Sequence, residues 1–425
     1  MIEDRPVSPM RRTPKGFRLH IGLFGRRNVG KSSLLNALTR QQVSIVSEVA
    51  GTTTDPVEKP MELLPIGPVL FIDTAGIDDV GALGQKRLTK TRQALDRTDL
   101  ALIVTEAGHW GEFEESILGE LRQRKTPLLV VFNKAELSRP PAALIERLAE
   151  SDASCVETVA IRDEGIDRLR EALVRMTPEQ FTGAPPIVAD LVPSGELAVL
   201  VVPIDLEAPK GRLILPQVQT IRDLLDGDAY CIVVKQDALS AALDRLRRPP
   251  ALVVTDSQAF AEVARDTPRD VPLTSFSILY ARQKGDLAQF IEGTLATDRL
   301  RPGDRVLVAE ACTHHPIGED IGRVKIPRWL REHVGGELNI ETTAGRDFPE
   351  DVDAYQLVIH CGACMWNRRE VLTRMLRCRQ AGVPISNYGL IIAHTLGILD
   401  RALEPFPDAL QVFRRNPANQ RCLPS

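Results

Sequence analysis

Aromatic side chains are scarce in this chain, only 4% of 425 residues, so it lacks the stacking platforms that single-stranded nucleic acid needs. Charge of one sign is lacking too. The net charge is −4 and the pI near 6.1, which argues against a large phosphate-tracking surface. Neither RNA nor DNA is an expected partner. No apolar run is long enough to span a bilayer, and the opening stretch MIEDRPVSPMRRTPKG has no apolar core for a signal peptide. The expectation is a cytoplasmic protein without a membrane partner. Seven cysteines, odd in number and unevenly spaced, make a poor disulfide framework and point to thiol or metal chemistry. No period of about 20–50 residues signals a solenoid.

What remains is ordinary for a globular protein, with 43% hydrophobic and 26% charged residues on a chain too long for one core. Residues 1–178 alternate apolar runs (LHIGLFG, PVLFIDTAG, DLALIVTEA, TPLLVVFNK) with helical patterns such as SSLLNALTR and GIDRLREALVRM. That alternation predicts an α/β fold, a mostly parallel sheet with helices on both faces, with residues 1–16 flexible. TPEQFTGAPP (177–186) reads as a linker. Residues 179–270 hold further strand candidates, LAVLVVPID, AYCIVVK and PALVVTD, but no phosphate loop and no ligand cluster, so a packing or oligomerisation module is expected. Residues 271–425 form a third α/β segment, in which DRVLVAEACTHH and AYQLVIHCGAC each run from an apolar strand into a Cys/His cluster.

GRRNVGKSS (25–33) fits G-x-x-x-x-G-K-S after a predicted strand and before a predicted helix, the context that makes a phosphate loop credible. The candidate phosphate-binding set is Gly25, Arg26, Arg27, Asn28, Val29, Gly30, Lys31, Ser32 and Ser33. Backbone N–H groups would cradle the phosphates at the helix N-terminus, Lys31 would reach the β/γ-phosphates, and Ser32 would reach Mg²⁺. GTTTD (51–55) offers Thr52 and Thr53 in a polar loop that senses Mg²⁺ and the γ-phosphate. DTAG (73–76) places Asp73 beside the metal and Gly76 at the γ-phosphate. NKAE supplies Asn133, Lys134 and Glu136 for the base. No side chain is assigned as catalytic base; Lys31 and Thr53 assist.

Together these motifs resemble the translation-factor-related GTPases, particularly the branch of tRNA-modification and Era-type GTPases, which implies GTP as ligand. Glu136 stands where that branch has Asp, and Thr158-Val159-Ala160 where a Ser-Ala pair supports the base. Ile77 follows Gly76, in place of a water-orienting glutamine, so slow intrinsic hydrolysis is expected. Asn28 matches the position at which relatives of this branch hold K⁺.

EACTHHP and HCGACMW together read C-x-H, a gap, then H-C-x-x-C, both at the carboxyl ends of predicted strands, where open α/β sheets place their sites. The residues alone leave two metals open: a structural zinc site of Cys₃His type, or three thiolates on a [4Fe–4S] cube whose fourth iron is weakly held. His315 and His360 also fit as strand-end caps, and Cys364 as a packed thiol. The order of phosphate loop, featureless middle and H-C-x-x-C resembles the HydF family of [FeFe]-hydrogenase maturation GTPases, from about residue 17 onward. The resemblance implies that the middle module forms a homodimer and that Cys312, Cys361 and Cys364 bind a [4Fe–4S] cluster, with His314 and His360 as candidate fourth ligands. It further implies a scaffold or carrier for a transient diiron precursor, passed to apo-[FeFe]-hydrogenase, with the radical-SAM maturases HydE and HydG upstream. The rival readings are a tRNA-modification or ribosome-assembly type GTPase with a structural zinc module. Cys155, Cys231, Cys378 and Cys422 lack ligand spacing, His394 reads as a satisfied core histidine, and RRPP (247–250) reads as a helix end.

Overall fold

A computed structural model describes residues 13–39, 56–74, 82–151, 153–178, 186–204, 213–311 and 320–415. The chain forms two compact units, Met1–Ala184 and Pro185–Ser425. The expected flexible start falls, for residues 1–12, outside the described residues; Lys15–Phe17 form a 3-10 turn.

The first unit is built on a six-stranded sheet of order β2-β3-β1-β4-β5-β6. Its strands are β1 (Leu19–Phe24), β2 (Val57–Leu63), β3 (Gly67–Asp73), β4 (Leu100–Thr105), β5 (Leu128–Asn133) and β6 (Ser154–Thr158). Only β2, at the edge, is antiparallel, to β3. β1, β4 and β5 are buried along their whole length, as strands covered on both faces must be. α1 (Lys31–Thr39) and α5 (Ile166–Met176) cover one face, where Leu34, Leu35, Leu38, Leu169 and Leu173 meet Leu19, Ile21 and Leu102. α2 (Ala82–Leu95), α3 (Glu112–Gln123) and α4 (Ala142–Ala149) cover the other, with Leu95, Ile117, Leu118 and Leu148 against Phe24, Ile103 and Phe132.

The second unit contains two four-stranded, all-parallel sheets built to one plan. The first has β7 (Leu197–Val201), β8 (Tyr230–Val234), β9 (Leu252–Thr255) and β10 (Leu273–Ser275) in the order β10-β9-β7-β8. The second has β11 (Arg305–Glu310), β12 (Asn339–Ala344), β13 (Leu357–His360) and β14 (Ile385–Asn387) in the order β12-β11-β13-β14. Read from the opposite edge, the two orders are the same. Because β10 pairs with β9, the first sheet runs past residue 270, to Ser275.

The intervening helices are α6 (Leu215–Asp226), α7 (Leu239–Leu243), α8 (Phe260–Asp266), α9 (Phe276–Lys284), α10 (Leu287–Leu295), α11 (Ile326–Val334), α12 (Arg368–Gln380), α13 (Tyr388–Thr395), α14 (Leu399–Ala402) and α15 (Pro407–Arg414). β10–α9 and β14–α13 carry similar sequences, VPLTSFSILYA and VPISNYGLIIA. Their helix starts meet: Ser277 Oγ donates to Asn387 Oδ1 at 3.0 Å and accepts from Gly389 N at 3.1 Å. A Cβ at Gly389 would lie 2.6 Å from Ser277 Cβ, so this crossing requires glycine.

Candidate nucleotide and metal sites

β1 lies between β3 and β4, so the loop after it opens at the topological switch point of the sheet, where such folds bind ligands. Lys31 begins α1 and is buried; its Nζ donates to Gly25 O and Arg26 O, both at 2.8 Å. The ammonium thus closes the loop on itself. Asn28 has φ 64° and Gly30 φ 90°, left-handed backbone of the kind from which anion nests are built. A Cβ at Gly30 would stand 2.2 Å from Asn133 Nδ2. Arg26 is drawn sideways onto α3, where its guanidinium makes a bidentate pair with the fully buried Glu114 carboxylate at 2.9 and 3.1 Å. Arg27 and Ser32 are exposed and Ser33 is half-buried at the helix start.

Asn133 ends β5 and is buried. Its amide donates to Val29 O at 2.9 Å, while its Oδ1 accepts from Thr158 Oγ1 and Ala160 N, both at 3.1 Å. One side chain therefore fastens the phosphate loop, β5 and the Thr158-Val159-Ala160 turn together. Sequence reasoning assigned Asn133 to the base alone; the register Asn133↔Thr158 adds the scaffold role. Lys134, at φ 58°, sends its Nζ to Glu106 Oε1 at 2.7 Å. Glu136 is exposed in the following turn.

Asp73 ends β3 opposite Leu23 of β1. Burial pushes its carboxyl up, against the pull of Lys31 and Lys59, and its Oδ1 is buried without a hydrogen-bond partner among the described residues. An orphaned carboxylate oxygen facing a lysine-closed phosphate loop fits a divalent cation of the hard, oxygen-binding class. Thr52, Thr53, Gly76 and Ile77 lie outside the described residues.

In the second unit β11 and β13 are neighbours, with Ala309 opposite His360. The two halves of the Cys/His pattern therefore leave adjacent strand ends; Cys312, His314 and His315 lie outside the described residues. Cys361 N donates to Ala309 O at 3.0 Å, and Cys361 Sγ accepts from Ala311 N at 3.1 Å. Ala363 takes φ 49°, and its backbone N–H also favours the Cys361 thiolate. Burial outweighs these donors and pushes the Cys361 thiol up to about 11; it raises Cys364 as well, opposed by the N–H groups of Cys364 and Met365 and by Lys284. Without a cation these thiols stay protonated, and a bound metal reverses that balance.

His360 is fully buried. Arg374, which can only donate, lies 3.2 Å from its Nε2, and its Nδ1 lies 2.8 Å from Cys361 O. Nδ1 therefore carries the proton. Burial, with Arg374 adding to it, lowers the imidazole to about 3, so the ring is neutral. Both nitrogens are engaged, and ligation by His360 would break one of these bonds. Arg374 is itself buried, over the rings of Trp366 (4.2 Å) and Phe348 (4.7 Å), and its NH2 donates to Gly345 O at 2.6 Å. This support of the Cys loop had no legible signal beyond an arginine in an amphipathic helix.

α9 closes the other side. Arg368 donates to the carbonyls of Arg282 (3.3 Å), Gln283 and Gly285 (2.9 Å) at the end of α9. Tyr280 and Lys284 of α9 are buried, and both lie within electrostatic reach of Cys364. The Tyr280 hydroxyl has no hydrogen-bond partner among the described residues. Thiols with backbone donors, a buried lysine and an unsatisfied hydroxyl form a donor set that fits an anionic, sulfur-ligated metal group.

Among proteins compared with this chain, GTPase Der of Wolinella succinogenes is 33% identical over 185 residues, 41% of this chain and 39% of that protein. The tRNA modification GTPase MnmE of Nitrosomonas europaea is 36% identical over 159 residues, 37% of this chain and 34% of that protein. The chain thus matches about a third to two-fifths of these relatives' length. Of solved structures, Aquifex aeolicus Era bound to GDP·AlF4⁻ has 20% identity and a TM-score of 0.32, covering 58% of this chain and 97% of that chain. The G domain of the T. maritima FeoB iron transporter has 21% identity and a TM-score of 0.30, covering 38% and 99%. A family model described as 50S ribosome-binding GTPase matches residues 20–134, so the first unit holds a GTPase domain. The hydrogen maturase F dimerization domain matches residues 187–285 and its tetramerization domain residues 288–405. Among the described residues no helix is long and apolar enough to cross a membrane. The two maturase models together span just over half of the chain, and the chain belongs to the hydrogen maturase F (HydF) family.

Proposed function

We propose that this chain is a cytoplasmic, GTP-hydrolysing scaffold that holds a [4Fe–4S] cluster and a transient diiron precursor and delivers the latter to apo-[FeFe]-hydrogenase. The observation that carries this reading is the pairing, in one chain, of a lysine-closed phosphate loop with half-buried thiols that follow a strand end. Lys31 and the loop amides bind the phosphates, Ser32, Thr53 and Asp73 hold Mg²⁺, Asn28 positions K⁺, and Lys134 and Glu136 face the base. Cys312, Cys361 and Cys364 hold three irons, and His314 is the candidate for the fourth, because His360 is committed to Arg374 and Cys361 O. The cluster supplies an exchangeable iron position; the chain's own residues orient the thiolates and exclude water. Segments 179–270 and 271–425 act as dimerisation and cluster domains, and HydE and HydG supply the precursor.

The test is anaerobic purification with iron, labile sulfide and zinc analysis of the full chain and of Cys312→Ser, Cys361→Ser, Cys364→Ser, His314→Ala and His360→Ala. Brown protein that loses its iron in each cysteine variant and keeps it in His314→Ala and His360→Ala supports the carrier. Colourless protein with one equivalent of zinc defeats it. A GTPase rate equal in K⁺ and Na⁺ removes the role given to Asn28.

A further inference from the structure

α11, α13 and the turn before β11 bring three metal-ligating side chains to one point. Asp298 lies in the 3-10 turn Ala296–Arg299, His333 in the last turn of α11, and His394 in the last turn of α13. Asp298 Oδ1 accepts from His333 Nε2 at 2.9 Å and from His394 Nε2 at 2.7 Å. The two rings stand 5.5 Å apart at 54°, and one ligand atom from each residue lies within 4.8 Å of the others. The nitrogen–oxygen separations of 2.9 and 2.7 Å match adjacent ligands held about 2.0–2.2 Å from one ion.

We propose that Asp298, His333 and His394 form a second metal site, a two-histidine, one-carboxylate triad for a borderline divalent transition ion of the Zn²⁺ or Fe²⁺ class. It stands on residues outside the nucleotide and cysteine sites. Imidazole and carboxylate select that class of ion over Ca²⁺ or Mg²⁺. Two helix C-termini converge here, and each places negative partial charge toward the histidine in its last turn, which favours a cation. The frame is rigid, because Ile326 and Leu330 of α11 share one core with Ile391 and Ile392 of α13. The mouth is open: the side chains of Asp298 and His333 are 32% and 30% exposed while that of His394 is 11% exposed, leaving room for water on the remaining positions. Binding requires that each ring present a bare Nε2 to the ion, with its proton on Nδ1.

The site is separate from the cysteines in the fold. Asp298 precedes β11, and α11 and α13 run back along the strands, so the triad lies at the amino edge of the sheet. Cys361 lies at the carboxyl edge. His394 is hydrogen-bonded, as the sequence reading expects, but it is half-buried at a helix end and not in the core, and its partner is a shared carboxylate.

The experiment titrates the full chain with Co²⁺ and follows visible absorption, then displaces Co²⁺ with Zn²⁺. We expect, beside any Co²⁺ that the cysteines take up with a thiolate charge-transfer band, one further equivalent with d–d bands alone. His333→Gln and Asp298→Asn keep hydrogen-bonding capacity but are poor ligands, so each should weaken binding at least about 100-fold, more than the loss typical of an outer partner. His333→Cys should restore binding and add a charge-transfer band. Absence of binding, an unchanged affinity in the Gln and Asn variants, or bands showing only thiolate ligation in the unaltered chain would overturn the proposal.

Discussion

Asn133→Ala separates two roles that a nucleotide-binding asparagine can play. The substitution leaves Val29 O and Ala160 N, both served by the Asn133 amide, buried and without that partner. An orphaned buried group costs about 1–3 kcal/mol, so the pair costs about 2–6 kcal/mol. For a unit of this size about 1 kcal/mol moves the melting point about 2–4 °C, so calorimetry of the nucleotide-free full chain should show the first unit melting at least about 4 °C lower. The same slackening lets the phosphate loop drift from β5, and the loop binds phosphate with its own amides. Pyrophosphate, which has no base, should therefore bind more weakly to the variant, as GTP does. Calorimetric titration with both ligands makes the comparison. A purely base-reading asparagine predicts the opposite: GTP affinity falls while pyrophosphate affinity and melting stay unchanged. That result would refute the scaffold role.

Lys31→Ala removes the ammonium bonded to Gly25 O and Arg26 O and should abolish detectable GTP binding in fluorescence titration; ordinary binding would mean the loop is wrongly assigned. Asp73 has a raised folded-state pKa, so its ionisation opposes folding as pH rises above the ordinary carboxylate range. Asp73→Asn should therefore melt higher than the parent at pH 7, lose that advantage toward pH 4, and lose Mg²⁺-dependent hydrolysis; a lower melting point at pH 7 would contradict a carboxyl whose charged form is disfavoured by desolvation. His360 is held neutral with its pKa lowered to about 3 from 6.5. The unfolded chain takes up the proton first, so stability present above pH 6.5 is lost as pH falls from about 6.5 toward 3, by up to about 1.4 kcal/mol per unit. His360→Gln should flatten the acid limb of the second unit's melting curve, and an unchanged slope would place the ring in a different tautomer or charge state.

The buried parallel strands were legible because each is a continuous apolar run: LHIGLF, LALIVT and LLVVFN contain hardly a polar residue. The edge strand β2 was not, since VEKPMEL is half charged and carries a proline that only an edge tolerates. β10 and β14 are three residues long, below what periodicity resolves. The phosphate loop and the H-C-x-x-C stretch announced themselves by spacing. Arg374, Arg368, Tyr280 and Lys284 did not, because nothing local links them to the cysteines; only the packing of α9 and α12 does. The Asp298, His333 and His394 group spans three segments, which no single window of sequence can show.

The doubled plan of the second unit has a consequence for how a thiolate site comes to exist. β9 and β13 hold the same place in their sheets, so Asp256 corresponds to Cys361. Each takes its backbone N–H to the carbonyl of the central strand, Asp256 N to Val201 O at 3.3 Å and Cys361 N to Ala309 O at 3.0 Å. Each side chain then accepts from the amide two residues on: Asp256 Oδ1 from Gln258 N at 3.1 Å, and the Cys361 sulfur from Ala363. The turn that leaves this strand is thus an anion receptor by construction, whatever anion occupies it. In one half a carboxylate fills the receptor and caps a helix turn; in the other a thiol fills it. A single substitution at a pre-formed turn exchanges an ordinary capping group for a metal-ligating one, without redesign of the strand, the turn or the helix beyond it.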